Sequence, residues 1–410
     1  MLLPLALGLL ASAVEAQAPV GDPFPIAELT NGRQAGPDAA AQPDNTFVVV
    51  WNSEEGDGDG TAIRARRFAQ DGSPISSEFA INEATPGSQW GPAVATDASG
   101  NFVVAWNGPD GGEHAVFARL FTANGTPLGG DFQVNLTGPL VQPSPKVGRN
   151  PAGDFVVSWR DLDPGNGDVM ASTFDASGSV VLTEFVVNAS GNYPTSSSGG
   201  GVAAGMRSDG GFAVAWAGEQ DVGGFPTTDI FQQRFTSGGQ PLGGEFQLSD
   251  HGPAGLYFSY RPQLSVDEAD NFLVVWHTQL NLAYGAANAR RTSASGVPGQ
   301  IKLLGSPSEG HIASTTPSGE FVVIWQDYDC CMRGARFDPA GDLIANFPVP
   351  DFEGWSRTQV HPAGDPTDFI QVRTVGDTTN WDLIGQRYSR DIFADGFESG
   401  DTGQWSRSVP

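Results

Sequence analysis

Carboxylates are the most abundant chemically capable groups in this chain. Asp and Glu number 47 against 21 Lys and Arg, a formal charge of −26. The acids gather with glycine in runs such as EEGDGDG at 54–60 and PDGGE at 109–113, and aromatic residues stand near such stretches at Trp90, Tyr193, Tyr257, Tyr260 and Trp355. Rings beside carboxylates suit a sugar, which stacks a C–H face on the ring and donates hydroxyl hydrogen bonds to the acids; clustered carboxylates alone suit calcium. Asp57-Gly-Asp59-Gly60 supplies part of a calcium loop but neither the third ligand spacing nor the terminal Glu of an EF-hand, so calcium at Asp57 and Asp59 competes with a plain Gly-Asp turn. Solvated acids, and rings that merely cover strand ends, account for the same composition without a ligand.

Other chemistries find little support. His114, His251, His277, His311 and His361 show no HExxH or paired spacing, which argues against zinc, and there is no GxSxG. A carboxylate pair for glycoside cleavage is recognised by its separation, which a sequence does not supply. The shortage of cations excludes a nucleic-acid groove, which needs Lys and Arg clustered on one face. Cys330 and Cys331 are the two cysteines and are adjacent. Export would tend to oxidise them, yet neighbouring Cα atoms lie about 3.8 Å apart, so a vicinal disulfide would be strained; two thiols or an intermolecular bridge are the alternatives.

The elements that must carry these residues repeat. An apolar run ending in Trp recurs as FVVVW (47–51), FVVAW (102–106), FVVSW (155–159), FAVAW (212–216), FLVVW (272–276) and FVVIW (321–325), with a degenerate seventh, FIQVR (369–373). Consecutive rather than alternate apolar positions require both faces of the strand to be buried. A shorter strand precedes each run, and a third strand ends in Phe68, Phe121, Phe174, Phe235, Thr292, Phe337 or Tyr388. Four residues past all but the last stand Gly72, Gly125, Gly178, Gly239, Gly296 and Gly341, where a tight hairpin needs positive φ; a fourth strand then reads FAIN, FQVN, FVVN or FQLS.

Self-similarity near fifty residues, with four strands per unit, predicts an all-β fold over 17–390: a seven-bladed β-propeller of four-stranded antiparallel blades. The last unit stops after IGQRY (384–388), whereas FPIAELTNGRQAGP (24–37) matches FAINEATPGSQWGP (79–92). The amino terminus is therefore expected to supply the fourth strand of the seventh blade and close the ring, which removes exposed strand edges.

In such a ring the loops between second and third strands and the links between units emerge on one face. These are the long, variable, acid-bearing segments, and function on a repeat scaffold sits in such loops. The ligand-binding set expected there is Trp90, Tyr257, Tyr260, His277 and Trp355, with Lys146, Gln263, His311 and Gln359, which align with Ala93 at the start of the innermost strand. Satisfying backbone groups or holding water is the alternative role for the last four. Arg before the third-strand aromatic (Arg67, Arg234, Arg291, Arg336, Arg387) and an acid before the fourth-strand Phe (Glu78, Asp131, Glu184, Glu245) predict cross-strand ion pairs.

Residues 2–14, LLPLALGLLASAV, are apolar, too short to span a bilayer and end in small residues, which predicts a signal peptide over 1–16 and no transmembrane segment elsewhere. Units ending PLGGDFQVN (127–135) and PLGGEFQLS (241–249), preceded by ARLF or QQRF, resemble repeats of large exported bacterial proteins, including surface proteins with calcium-binding or cadherin-like modules. The tail DIFADGFESGDTGQWS (391–406) is similar to a short segment at the carboxyl ends of secreted bacterial proteins. The resemblance implies an exported repeat fold and no particular activity. The expectation is a monomeric, secreted or cell-surface, non-enzymatic binding or scaffold protein that takes a glycan, a surface protein or a cation such as calcium on its variable face, followed by a dispensable tail at 391–410. A propeller-type polysaccharide hydrolase or lyase is the alternative.

Overall fold

Strands are the regular elements of this chain, and no helix occurs among the described residues. The structure, a computed structural model, describes residues 18–389 except 55, 112, 137–144, 162–167, 189–200, 222–225, 251–256, 281–283, 306–307, 316–319, 328–331, 341, 350–356, 361–367 and 377–380. The signal-peptide and tail expectations, with Tyr193, Trp355, Cys330 and Cys331, lie outside the described residues.

After β1 (Ala18–Pro25) the strands come in groups along the chain. The first holds β2 (Gln34–Ala41), β3 (Phe47–Glu54), β4 (Thr61–Phe68) and β5 (Phe79–Ala80), and the second β6 (Trp90–Thr96), β7 (Phe102–Asp110), β8 (Glu113–Phe121) and β9 (Phe132–Gln133). The third holds β10 (Lys146–Arg149), β11 (Phe155–Arg160), β12 (Val169–Phe174) and β13 (Val180–Val186), and the fourth β14 (Val202–Met206), β15 (Phe212–Asp221), β16 (Pro226–Phe235) and β17 (Phe246–Gln247). Then come β18 (Tyr257–Val266), β19 (Phe272–Leu280), β20 (Tyr284–Thr292) and β21 (Lys302–Gly305), followed by β22 (Ser308–Thr315), β23 (Phe321–Asp327), β24 (Met332–Phe337) and β25 (Leu343–Val349). The last group is β26 (Arg357–Val360), β27 (Asp368–Gly376) and β28 (Trp381–Ser389).

Among the described residues these groups form five four-stranded sheets and one eight-stranded sheet. The larger sheet joins the fourth group to the fifth through a parallel pairing of Thr228 with Phe258. β1 completes the last sheet, antiparallel to β28, with Ala18 opposite Ser389 and Phe24 opposite Gly385. It begins upstream of the Phe24 start indicated by the repeat match, because a bulge between Val20 and Phe24 lets the pairing continue. The leading strands touch in the order β2, β6, β10, β14, β18, β22, β26, and β26 touches β2 again.

The consecutive apolar runs are divided between neighbouring sheets, which explains their pattern. Val48 and Val50 pack with Phe102 and Trp106 of the following sheet, while Val49 and Trp51 pack with Ile370 and Val372 of the preceding one. At the far end of every unit but the fifth, where Thr292 replaces the ring, the first ring of the second strand stacks on the last ring of the third, as Phe102 does on Phe121 at 4.9 Å; against several of these pairs the previous unit's fourth-strand Phe tilts, Phe79 lying 6.2 Å from Phe121. Phe24 of β1 occupies this place against Phe68 at 5.9 Å. The hairpin glycines Gly72, Gly125, Gly178, Gly239 and Gly296 all have positive φ.

The fourth-strand Asn has a fixed task. Asn82, Asn135 and Asn188 accept the backbone N–H groups of Ile63, Val116 and Val169 at 2.8, 2.8 and 2.7 Å, and Ser249 takes the Ile230 N–H in the same way at 3.0 Å. The cross-strand ion pairs differ from expectation. Glu78 pairs with Arg64 at 2.8 Å rather than with Arg67, since alternation puts Arg67 on the opposite face, where its Nε donates to Gln42. The acids also reach the preceding sheet: Glu78, Asp131 and Glu184 accept the backbone N–H groups of Glu28, Glu83 and Leu136 at 2.8, 2.7 and 2.7 Å.

Candidate ligand-binding face

The two ends of the sheets use their polar groups differently. At the end carrying the short turns, side chains close on their own backbone: Asn101, Asp154 and Asn271 accept the N–H groups of Ala123, Ala176 and Ala294 at 3.1, 3.1 and 3.0 Å. Asp175 accepts from Ser177 and Ser179, and the Ser177 hydroxyl is the main cause that holds its carboxyl below the usual range.

At the other end four of the leading strands are bulged. Register shifts lie between Ala35 and Asp38 in β2, Trp90 and Ala93 in β6, Tyr260 and Gln263 in β18, and Glu309 and His311 in β22. A bulge bends the strand and re-aims the side chain beside it. Gly36 and Gly91 take positive φ there, and Arg261 does so at φ 54, in a region that costs a side chain about 1–2 kcal/mol.

Trp90 and Tyr260 hold equivalent places at these bulges, each half-buried, opposite Asn107 and His277 respectively. The Trp90 ring meets His114 edge-on at 4.4 Å, and Tyr260 tilts against His277 at 4.8 Å. The Tyr260 hydroxyl donates to Gln279 Oε1 at 3.2 Å, and the Arg261 guanidinium lies 5.9 Å from its ring. Tyr257 opens β18 opposite Leu280.

Three of the residues aligned with one another keep that register: Ala93, Lys146 and Gln263 each face the residue before the unit's Trp, namely Ala105, Ser158 and Val275. His311 and Gln359 do not. His311 faces Trp325, and Gln359 faces Gln371, one step to either side of the expected pairing; Ile312 and Thr358 hold that register instead, opposite Ile324 and Val372. Asp38, passed over in the sequence, shares the Ala93 register opposite Val50, and its carboxylate accepts the Val94 N–H of the next sheet at 2.9 Å. Extending the match at 24–37 by one residue would have found it.

Asn52 and Asn107 were also passed over, although both follow the aligned Trp directly. Asn52 Oδ1 accepts the Gly91 N–H of the next sheet at 3.0 Å. Asn107 is fully buried, and neither its Oδ1 nor its Nδ2 has a partner among the described residues. Asp57 and Asp59 are tied into the blade: Asn82 Nδ2 donates to Asp57 at 3.0 Å and the Gly87 N–H to Asp59 at 3.1 Å. Among the described residues no group of three or more His, Cys, Asp or Glu side chains converges to hold a metal. Elsewhere on this end, burial raises the Asp382 carboxyl above the usual range, and the Arg33 guanidinium lies 3.6 Å over the Trp381 ring.

No protein-family model and no curated protein matches the chain. Solved structures do. The BP39L lectin from Burkholderia pseudomallei matches with a TM-score of 0.53 at 14% identity, over 86% of this chain and 98% of the lectin. An ulvan lyase bound to GlcA(1-4)Rha3S matches at 0.54 and 10% identity, over 90% and 94%, and the WD40 domain of Toxoplasma gondii coronin at 0.54 and 11%, over 93% and 88%. The fold is a β-propeller. At these identities the likeness concerns fold alone. Among the described residues no helix is long and apolar enough to cross a membrane.

Proposed function

We propose that this chain is an exported seven-bladed propeller, closed by β1, that binds a glycan on the face bearing the bulged strand ends. The observation that carries this reading is the equivalent placement of Trp90 and Tyr260, half-buried rings at bulges, each set opposite a buried polar side chain. A planar ring at a groove mouth offers stacking area to a sugar at little conformational cost, and the polar group beneath supplies orientation. The cycle of contacts among the leading strands and the pairing of β1 with β28 support the closed seven-membered ring. A lectin and a polysaccharide lyase among the structures of like fold are consistent with carbohydrate as the partner class.

Binding is favoured over two-carboxylate glycoside hydrolysis by the inner register. Of Asp38, Ala93, Lys146, Ala203, Gln263, Ile312 and Thr358, which face the residue before the Trp or its equivalent, only Asp38 is a carboxylate, and glycoside hydrolysis calls for two. A glycan-array screen tests the reading, with Trp90→Ala and Tyr260→Ala beside the turn variants Asn124→Ala and Ser177→Ala. Loss of binding in the first pair alone is expected. Binding that survives both ring substitutions and fails in a turn variant reverses the assignment of the face.

A further inference from the structure

The mouth between the second and third sheets contains an uncompensated polar cluster. Asn107 lies directly opposite Trp90, so their side chains share one side of the sheet. His114 faces Pro109, two residues beyond Asn107 on the same side, and its ring touches Trp90. Ala105, two residues below Asn107, packs against Trp159 of the third sheet in one cluster. Alternation therefore stacks Trp159, Asn107 and the Trp90–His114 pair in order toward the rim of one interface.

Four polar atoms here have no hydrogen-bond partner among the described residues: both side-chain atoms of Asn107, His114 Nδ1 and Trp159 Nε1. The preceding interface makes the contrast. There Asn52, at the same position after its Trp, accepts the Gly91 N–H, and one interface further back the Trp51 indole donates to Gln34 Oε1 at 3.0 Å. The same architecture is thus satisfied at one interface and left open at the next. Desolvated amide atoms without partners oppose folding, and a group that supplies their hydrogen bonds recovers that loss without first stripping water from them.

Resting on the glycan-binding reading, we infer that the Trp90–Asn107–His114 cluster is a subsite for one neutral pyranose ring. The Trp90 face takes the apolar side of the sugar. The Asn107 amide, one donor and one acceptor group, matches a pair of adjacent hydroxyls, which present the same combination. A neutral sugar is specified because the chain carries −26 and would repel a polyanion.

The test compares Asn107→Leu with Asn52→Leu, using arrayed glucans, mannans and galactans as probes and thermal unfolding as the second readout. Asn107→Leu removes no hydrogen bond among the described residues, so it should keep or raise Tm while weakening glycan binding by about tenfold or more, the equivalent of one hydrogen bond to a buried group. Asn52→Leu orphans the Gly91 N–H and should lower Tm. If Asn107→Leu lowers Tm as Asn52→Leu does, the amide serves the fold and the subsite is refuted. If Trp90→Ala and Tyr260→Ala abolish binding but Asn107→Leu does not, the subsite fails while the glycan-binding face stands. If none of the arrayed neutral glycans binds the parent protein, both fail.

Discussion

Thr292 donates its hydroxyl to Gln232 Oε1 at 3.0 Å across the interface of the fourth and fifth strand groups, with both residues fully buried. Elsewhere this contact is apolar and differently proportioned. Ala65, Ala118 and Ala171 share clusters with the large rings Phe121, Phe174 and Phe235 of the following sheet. Gln232 holds the place of the Ala and Thr292 that of the ring, so a larger polar residue on one side is met by a smaller one on the other. Each should be unfavourable alone: Thr292→Phe overpacks against Gln232, and Gln232→Ala strips the hydroxyl of its partner, each costing about 1–3 kcal/mol. The double variant recreates the contact of the other interfaces and should recover most of the loss. Denaturant unfolding of the four proteins measures the coupling; additive losses would show that the two positions do not compensate.

The seam at β1 can be tested through Phe24. A Cβ on Gly72 would lie 2.4 Å from the Phe24 ring, and one on Gly385 also 2.4 Å from it, so the ring fills a space that both glycines leave open. Phe24→Ala should cost about 2–3 kcal/mol, less than a fully buried Phe because the ring is half-buried. Gly72→Ala should be severe in the parent and milder with Phe24→Ala, leaving the φ strain alone. Removing residues 18–25 should expose the β28 edge and promote aggregation; unchanged melting and solubility would mean that β1 does not hold the ring together.

The repeat was legible because side-chain type carries it: Trp at the end of one strand, an aromatic at the end of the next, and glycine in the hairpin where φ is positive. The position of Trp90 and Tyr260 at the variable end of their sheets was legible too, as large rings in otherwise variable links. Asn107 was not, because the position after the Trp is Asn in the first two units alone and becomes Arg160, Ala217 and His277 in the next three, so it leaves no pattern along the chain. His311 and Gln359 fall one step off for another reason: the pairing register is set by the hairpin, which puts Ile312 and Thr358 opposite Ile324 and Val372, and nothing in the side-chain types there marks it. The acids before the fourth-strand Phe also make backbone contacts to the preceding sheet, which follow from the packing of neighbouring sheets and not from the cross-strand pairing that the sequence suggests.

Acid should loosen the hairpin turns selectively. The Asp175 carboxyl is lowered by the Ser177 hydroxyl and then by the Ser179, Ser177 and Gly178 N–H groups, and Asp71 is lowered in the same way by Ser73. A carboxyl with a depressed folded value stabilises the fold fully above its unfolded value, about 3.9 for Asp, and that contribution fades as pH falls through the folded value. The stability difference between parent and Asp175→Asn should therefore be constant from about pH 7 to 5 and shrink below about pH 4. A difference that widens on acidification would contradict the assignment.

Arg261 should trade stability for binding. It adopts φ 54 where Gly36 and Gly91 hold the matching bulges at φ 60 and 65, and its guanidinium lies 5.9 Å from the Tyr260 ring. Left-handed backbone costs a side chain about 1–2 kcal/mol, and the added chain entropy of glycine offsets part of any relief, so Arg261→Gly should stabilise by about 0.5–1 kcal/mol. Strain kept at the mouth of a binding face is a mark of use. The same substitution removes a cation from beside the Tyr260 ring and should weaken glycan binding, whereas Arg261→Asn, which tolerates this conformation, should gain some stability and lose the same affinity. Unfolding midpoints and binding isotherms for the three proteins decide the matter: a stabilised Arg261→Gly with undiminished affinity would leave the strain without a role in binding.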